Sequence, residues 1–300
     1  MKPSEPLDIE LARESSLFGK VIFVLATPAS GSDVLMRALR EFPQLAALPV
    51  RTNLFSGGMT RILDHWVQDG TNQGMHHVCG EEQEFLAAAR LLADTPLLAA
   101  RAAIGGDVVV EHSGDQIQLV DDIRAIYPDA RIVHVVRDGR HVADRLAQGK
   151  HAVPARYAAR RWVDDQRSAM EAAVDGTVKV EALLTDPVGA MKALADGLNI
   201  DAPGPALAAA ASHFSGAGQL LATPVTGRAA AIVEIVAPDL LAHFGYELDK
   251  SRRSTRFAGW VEISASGAVV AAGKARRRVQ ERVADRFGRD EWRPSPLGEE

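Results

Sequence analysis

Residues 21–39 read VIFVLATPASGSDVLMRAL. Val21 to Leu25 are apolar and largely β-branched, the pattern of a short strand buried on both faces of a parallel sheet. Pro28, Ser30, Gly31 and Ser32 break that run. Beyond them Val34, Leu35, Ala38, Leu39 and Phe42 recur at helical spacing, and Ser32 is placed to cap the helix by accepting a backbone N–H. A strand feeding a helix through so small a turn is a cradle for an anion, because unpaired N–H groups and the positive end of the helix dipole converge there. With one glycine and no lysine, the turn is not the G-x-x-x-x-G-K-[ST] loop. It also carries Asp33 where an anion would sit.

Three hundred residues suffice to bury the core of one large domain or two. A chain that is 47% hydrophobic and 24% charged, with a net charge of −5, has the composition of a globular protein. No apolar run reaches the length of a membrane span, and MKPSEPLDIELARESS at the N-terminus lacks the basic flank and apolar centre of a signal peptide. The single cysteine, Cys79, excludes an internal disulfide framework and fits a reducing compartment, so a cytoplasmic protein is expected. Usage rich in alanine, arginine and aspartate resembles that of a bacterial chain.

Strands and helices alternate along the chain. A lead-in of residues 1–20 precedes the first strand, and residues 43–106 read as helix-rich. DVVVEHSGD (107–115) is a second buried strand entering a turn, with a helix from about Gln116 to Tyr127. ARIVHVVRDGR (130–140) is a third, and GTVKVEALLTDP (176–187) supplies a fourth strand and a turn. The alternation predicts an α/β fold, a mostly parallel central sheet with helices on both faces. Ligands of such sheets bind beyond the carboxyl ends of the strands, which gathers Ser30 to Asp33, Glu111 to Asp115 and Arg137 to Arg140 around one crevice.

Residues 250–293 hold twelve Lys/Arg against five Asp/Glu, a surplus of seven positive charges that leaves −12 on the rest of the chain. In KARRRVQERVADRF, Ala275, Val279, Val283 and Phe287 form a narrow apolar stripe on a basic helix, suited to self-association or a partner contact. The acidic body argues against general nucleic-acid binding.

The anion turn, EHSGDQI (111–117), YPDARIVHVVRDGRHVADRL (127–146), KVEALLTDP (179–187) and GYEL (245–248) together resemble the bacterial sulfotransferases that use 3'-phosphoadenosine 5'-phosphosulfate (PAPS). The resemblance covers roughly residues 20–248 and is most specific in YPDARIVHVVRDGRHVA. It implies a sulfotransferase-like domain at 21–248 of P-loop-like fold, followed by a basic extension at 249–300. It also implies transfer of a sulfuryl group from PAPS to a hydroxyl or amine of a small molecule or glycan.

The resemblance assigns residues to PAPS. The family's first loop, P-R-S-G-[ST]-[ST], wraps the 5'-phosphosulfate; Ser30, Gly31 and Ser32 match it, whereas its basic residue is Ala29 here and its second hydroxyl is Asp33. Arg137 matches the arginine that holds the 3'-phosphate, and Arg145 stands where the family has a partner serine. Arg228, after Gly227, resembles a late G-R element that closes over the nucleotide, a solvated arginine being the alternative. His112 occupies the lysine position of an E-K-[ST]-P segment, where an imidazole is a candidate general base for the acceptor's proton, a group that orients the donor, or a polar residue that caps the next helix with Ser113. A P-E-E-T-N-type segment survives as LPVRTNLF, with Val50 and Arg51 in place of acids. Glu181 and Asp186 read as structural.

Asp33 divides the functional readings. A carboxylate 4 Å from a bound anion costs about 4 kcal/mol at an effective dielectric of 20. It is instead favourable by about 0.3–1 kcal/mol against the helix dipole when no anion is present. Either Asp33 is a helix-start residue in a donor-blind homologue that serves as a binding or assembly partner, or it turns outward, is protonated, or pairs with a nearby arginine such as Arg37 or Arg140, and donor binding survives. A transferase adapted to another donor is the third reading. Two further constellations are weaker. MHHVCGEE (75–82) lacks zinc-like spacing, and a Ser30, His112, Asp115 triad lacks the nucleophile elbow. His134, inside IVHVV, reads as a core histidine.

Overall fold

The computed structural model describes residues 5–66, 81–113, 116–149, 152–172, 174–215, 225 and 227–248. Its strands are β1 (Val21–Ala26), β2 (Leu45–Ala47), β3 (Val108–His112), β4 (Arg131–Val136) and β5 (Gly176–Lys179). They form one all-parallel sheet in the order β2-β3-β1-β4-β5. The chain leaves β1 towards β2 on one side and β4 towards β5 on the other. The connections thus reverse between β1 and β4, and the crevice beyond those two strand ends is where such sheets take ligands.

The helices are α1 (Ile9–Ala12), α2 (Ser32–Leu39), α3 (Thr60–Trp66), α4 (Glu82–Ile104), α5 (Val120–Ile126), α6 (Gly139–Gln148) and α7 (Ala155–Glu171). After β5 come α8 (Val180–Thr185), α9 (Pro187–Gly197), α10 (Gly204–Ser212), α11 (Arg228–Val236) and α12 (Pro238–His243).

Every β1 side chain is buried, and alternation along the strand divides them between two layers. Val21, Phe23 and Leu25 face a core built with Phe55, α4 and α5, in which Phe23 meets Phe55 and Tyr127 edge-on at 5.7 and 5.5 Å. Ile22, Val24 and Ala26 face a second core with α2, α9 and α10. A third joins Val136 to α6, α7, α11 and α12 around Trp162. The lead-in is docked on the first core through buried Leu7, Ala12 and Leu17, and Leu7 N–H donates to Ala125 C=O at 2.8 Å.

The predicted α/β architecture is the observed one, with three local differences. Residues 43–106, read as helix-rich, include β2, three residues of helix-forming type whose pairing is set from outside. The N–H groups of Asp107 and Val108 donate to Gln44 C=O, and Gly106 takes a φ of 93° and lies so close that a Cβ would fall 2.8 Å from the Leu45 carbonyl carbon. The fourth predicted strand stops at Lys179, and Val180 begins α8. The helix expected from Gln116 begins as a 3₁₀ turn, Gln116–Leu119, before α5. The basic extension with its apolar stripe, the MHHV part of the MHHVCGEE cluster with Cys79, and Asp115 lie outside the described residues.

Candidate functional site

The turn after β1 curls back on itself at the centre of the mouth. Ser30 N–H donates to Thr27 C=O at 3.1 Å, and both Ala29 (φ 70°) and Gly31 (φ 95°) are left-handed. For alanine that conformation costs about 1–2 kcal/mol, strain of the kind that collects at functional turns. Ser30 and Ser32 are buried. Ser32 does not cap the helix: Gly31 is the N-cap residue and offers no side chain, so the first-turn N–H groups of α2 have no side-chain cap. Ser32 Oγ lies instead 2.7 Å from His112 Nε2, across from the end of β3.

Asp33 is exposed in that first turn, and its partner is Arg51 rather than Arg37 or Arg140. Arg51 Nη2 sits 3.0 Å from both carboxylate oxygens. His112 Nδ1 is 4.0 Å from Asp33 Oδ1. Burial, then the charge of Arg51, push His112 down to about 4 against the opposing pull of Asp33. The imidazole is therefore neutral at pH 7 and able to accept a proton, with less affinity for it than free imidazole has. The segment that carries Arg51 is tied to the end of β3: Thr52 Oγ1 donates to Glu111 Oε1, and Asn53 N–H donates to Ser113 Oγ at 2.9 Å. Ser113 Oγ donates in turn to Glu111 Oε1 at 2.9 Å, and burial raises the Glu111 carboxyl above its ordinary range. His112 pairs with Ser32, not Ser30, so the hydrolase arrangement is not assembled.

Arg137 follows β4 and is buried. Asp138 caps α6 by accepting from Arg140 N–H at 2.9 Å, which aims the turn. Gly139 makes room for Trp162, whose Nε1–H donates to Arg137 C=O at 3.1 Å. Glu181 is structural, as its sequence context suggested: it accepts from Asp138 N–H and from Tyr246 O–H, both at 2.9 Å, clasping GYEL to the turn. Asp186 caps α9 through Gly189 N–H at 3.0 Å. Arg140 spends its guanidinium on Asp138, Glu234 and Glu247 C=O.

Burial lowers the Arg137 pKa; Glu181 opposes this and the charge of Arg145 adds to it, so two cations that repel one another share this rim. Arg145 is exposed on α6, and Arg228 is exposed at the start of α11. Gly227 lies against the Asp144 carboxylate so closely that a Cβ would fall 1.4 Å from Oδ1, which brings the start of α11 against α6.

One helix face locks both halves of the mouth together. Trp162 and Gln166 lie four apart on α7; Trp162 holds the Arg137 turn, and Gln166 Nε2 donates to Thr27 Oγ1 at 3.1 Å. Neither residue stood out in the sequence, because an aromatic and an amide at this spacing also describe an ordinary packed helix. Arg51 was visible only as a departure from an acidic motif. Among the described residues no group of His, Cys, Asp and Glu is placed to hold a metal ion, and no helix is long and apolar enough to cross a membrane.

A parallel sheet whose central strand runs through a left-handed turn into a helix, with a buried arginine just past the end of the neighbouring strand, defines an α/β protein with a strand-turn-helix mouth. The sulfotransferase family profile matches residues 21–204, and the chain belongs to the sulfotransferase family. The sulfotransferase domain of the Synechococcus PCC 7002 olefin synthase is similar in fold, with a TM-score of 0.52 at 16% identity over 83% of this chain and 99% of that one. Sulfotransferase STF9 of Mycobacterium avium gives a TM-score of 0.49 at 12% identity over 80% of each chain. No curated protein matches the sequence significantly.

Proposed function

We propose that the protein transfers a sulfuryl group from PAPS to a hydroxyl or amine of a small molecule or glycan. The observation that carries this reading is the joint anchoring of the β1 turn and the Arg137 turn by Trp162 and Gln166 of α7, which holds the two turns at a fixed separation. Two charged ends of one nucleotide call for such an arrangement. The fit is supported by the uncapped α2 N-terminus at the curled turn and by Arg137 with Arg145 on the neighbouring rim. When bound, the donor supplies an activated sulfuryl group.

The chain's own residues divide the work. The turn from Ser30 to Ser32, with Asp33 in the same helical turn, receives the 5' end, and Arg137 forks onto the 3'-phosphate. His112, neutral and oriented by Ser32, takes the proton of the attacking hydroxyl or amine as its oxygen or nitrogen bonds to sulfur. The bond from sulfur to the bridging oxygen breaks, and adenosine 3',5'-bisphosphate leaves with the electron pair.

Ala29 and Asp33 favour a second reading, a donor-blind family member that acts as a binding partner, since the loop brings no cation of its own. Calorimetric titration with adenosine 3',5'-bisphosphate separates the two. Micromolar binding that disappears in Arg137→Ala supports the transferase, and absence of binding to the unaltered protein supports the donor-blind relative.

A further inference from the structure

Residues 27–33 are Thr, Pro, Ala, Ser, Gly, Ser and Asp, so an anion docked on this turn meets one carboxylate and no cationic side chain from the loop itself. Compensation comes from another segment. Arg51 reaches Asp33 through Nη2 alone, at 3.0 Å from each oxygen, and among the described residues its Nε and Nη1 donate to nothing. A guanidinium has five N–H donors, so among the described residues most of this one is uncommitted. The pair is open to solvent, with side chains 41% and 63% exposed, while its backbone base is fixed to β3 through Thr52 and Asn53. Arg51 also acts on His112, which bonds Ser32 inside the turn. A rigidly based, half-exposed arginine, aimed by a carboxylate at the mouth of an anion cradle, has the features of a clamp.

We propose that the Asp33–Arg51 pair replaces the missing loop cation: Asp33 orients the guanidinium, and Arg51 presents its remaining N–H groups to the anionic 5' end of the bound nucleotide. The carboxylate that conflicted with an anion site thus acts as a positioning residue for the cation that serves it. This inference rests on the donor reading above and assigns the 5' end to a residue outside the loop.

Titration of two probes separates the inference from that reading: adenosine 3',5'-bisphosphate, and adenosine 3'-monophosphate, which lacks the 5'-phosphate. Arg51→Ala is expected to weaken the bisphosphate by at least about tenfold, the loss that follows removal of a charge-assisted hydrogen bond, and to leave the 3'-monophosphate unchanged. Adding Ala29→Arg to Arg51→Ala should recover most of the loss, a rescue that a purely structural role for Arg51 does not give. If Arg51→Ala binds the bisphosphate as the unaltered protein does, or weakens both probes equally, the clamp is wrong and the donor reading stands. If the unaltered protein binds neither probe, both fall together.

Discussion

Gly139→Ala sets two physical effects of opposite sign against each other. Gly139 is the first residue of α6, and by helix propensity alone an alanine there would stabilise by about 0.5–1 kcal/mol. Packing says otherwise. The new Cβ would fall 2.4, 2.5 and 2.6 Å from three ring atoms of Trp162, where ordinary contact begins near 3.4 Å. The indole must retreat by roughly 1 Å in a core where it is fully buried, and overpacking of this kind costs about 1–3 kcal/mol. Retreat also breaks the 3.1 Å bond from Trp162 Nε1 to Arg137 C=O, leaving a buried donor and acceptor unsatisfied at a further cost of about 1–3 kcal/mol. The net is a destabilisation of about 1–5 kcal/mol, or a fall in Tm of roughly 2–20 °C at 2–4 °C per kcal/mol. Thermal unfolding followed by near-ultraviolet circular dichroism reads both the midpoint and the indole environment. A Tm equal to or above that of the unaltered protein would refute the account of how Trp162 holds the Arg137 turn.

His112 should titrate near 4 by nuclear magnetic resonance, with the midpoint rising in Arg51→Ala and falling in Asp33→Asn, and a midpoint near 6.5 would contradict its buried setting. Because the folded value lies below the unfolded one near 6.5, His112 favours the folded state fully above that pH. This stabilisation, about 3 kcal/mol at most, is lost as the pH falls from 6.5 towards 4. Denaturant unfolding should therefore show the gap between the unaltered protein and His112→Asn changing across that window, and a constant gap would count against it. Gly106→Ala should release β2, since a Cβ meets the backbone of residues 44–46 at 2.8–2.9 Å in a left-handed conformation; faster amide exchange confined to residues 45–47 and 108–110 is the expected signature, and unchanged protection there contradicts it.

The parts of the fold that were legible in the sequence are those whose cause is local. β1, β3 and β4 announce themselves because strands buried on both faces must be continuously apolar, and the Arg137 turn does so because Asp138 caps and Gly139 follows. β2 was hidden because Leu-Ala-Ala has no strand character and pairs only because Gly106 admits it. The site was half legible for the same reason. Ser30, Gly31, Ser32, His112 and Arg137 could be matched to a pattern, but the Asp33–Arg51 pair joins two loops across the mouth. No spacing rule links residues 18 apart on different elements. Residue type favours Ser32 as the cap, whereas Gly31 in a left-handed conformation takes that position and frees the hydroxyl for His112.

The most direct test compares the affinities of adenosine 3',5'-bisphosphate and adenosine 5'-monophosphate for the unaltered protein and for Arg137→Ala. A 3'-phosphate held by Arg137 predicts a preference of at least about thirtyfold for the bisphosphate, equivalent to about 2 kcal/mol, that shrinks to a few-fold in the variant. Equal affinities for the two nucleotides, or a preference that survives Arg137→Ala, would contradict the assignment of this mouth to PAPS.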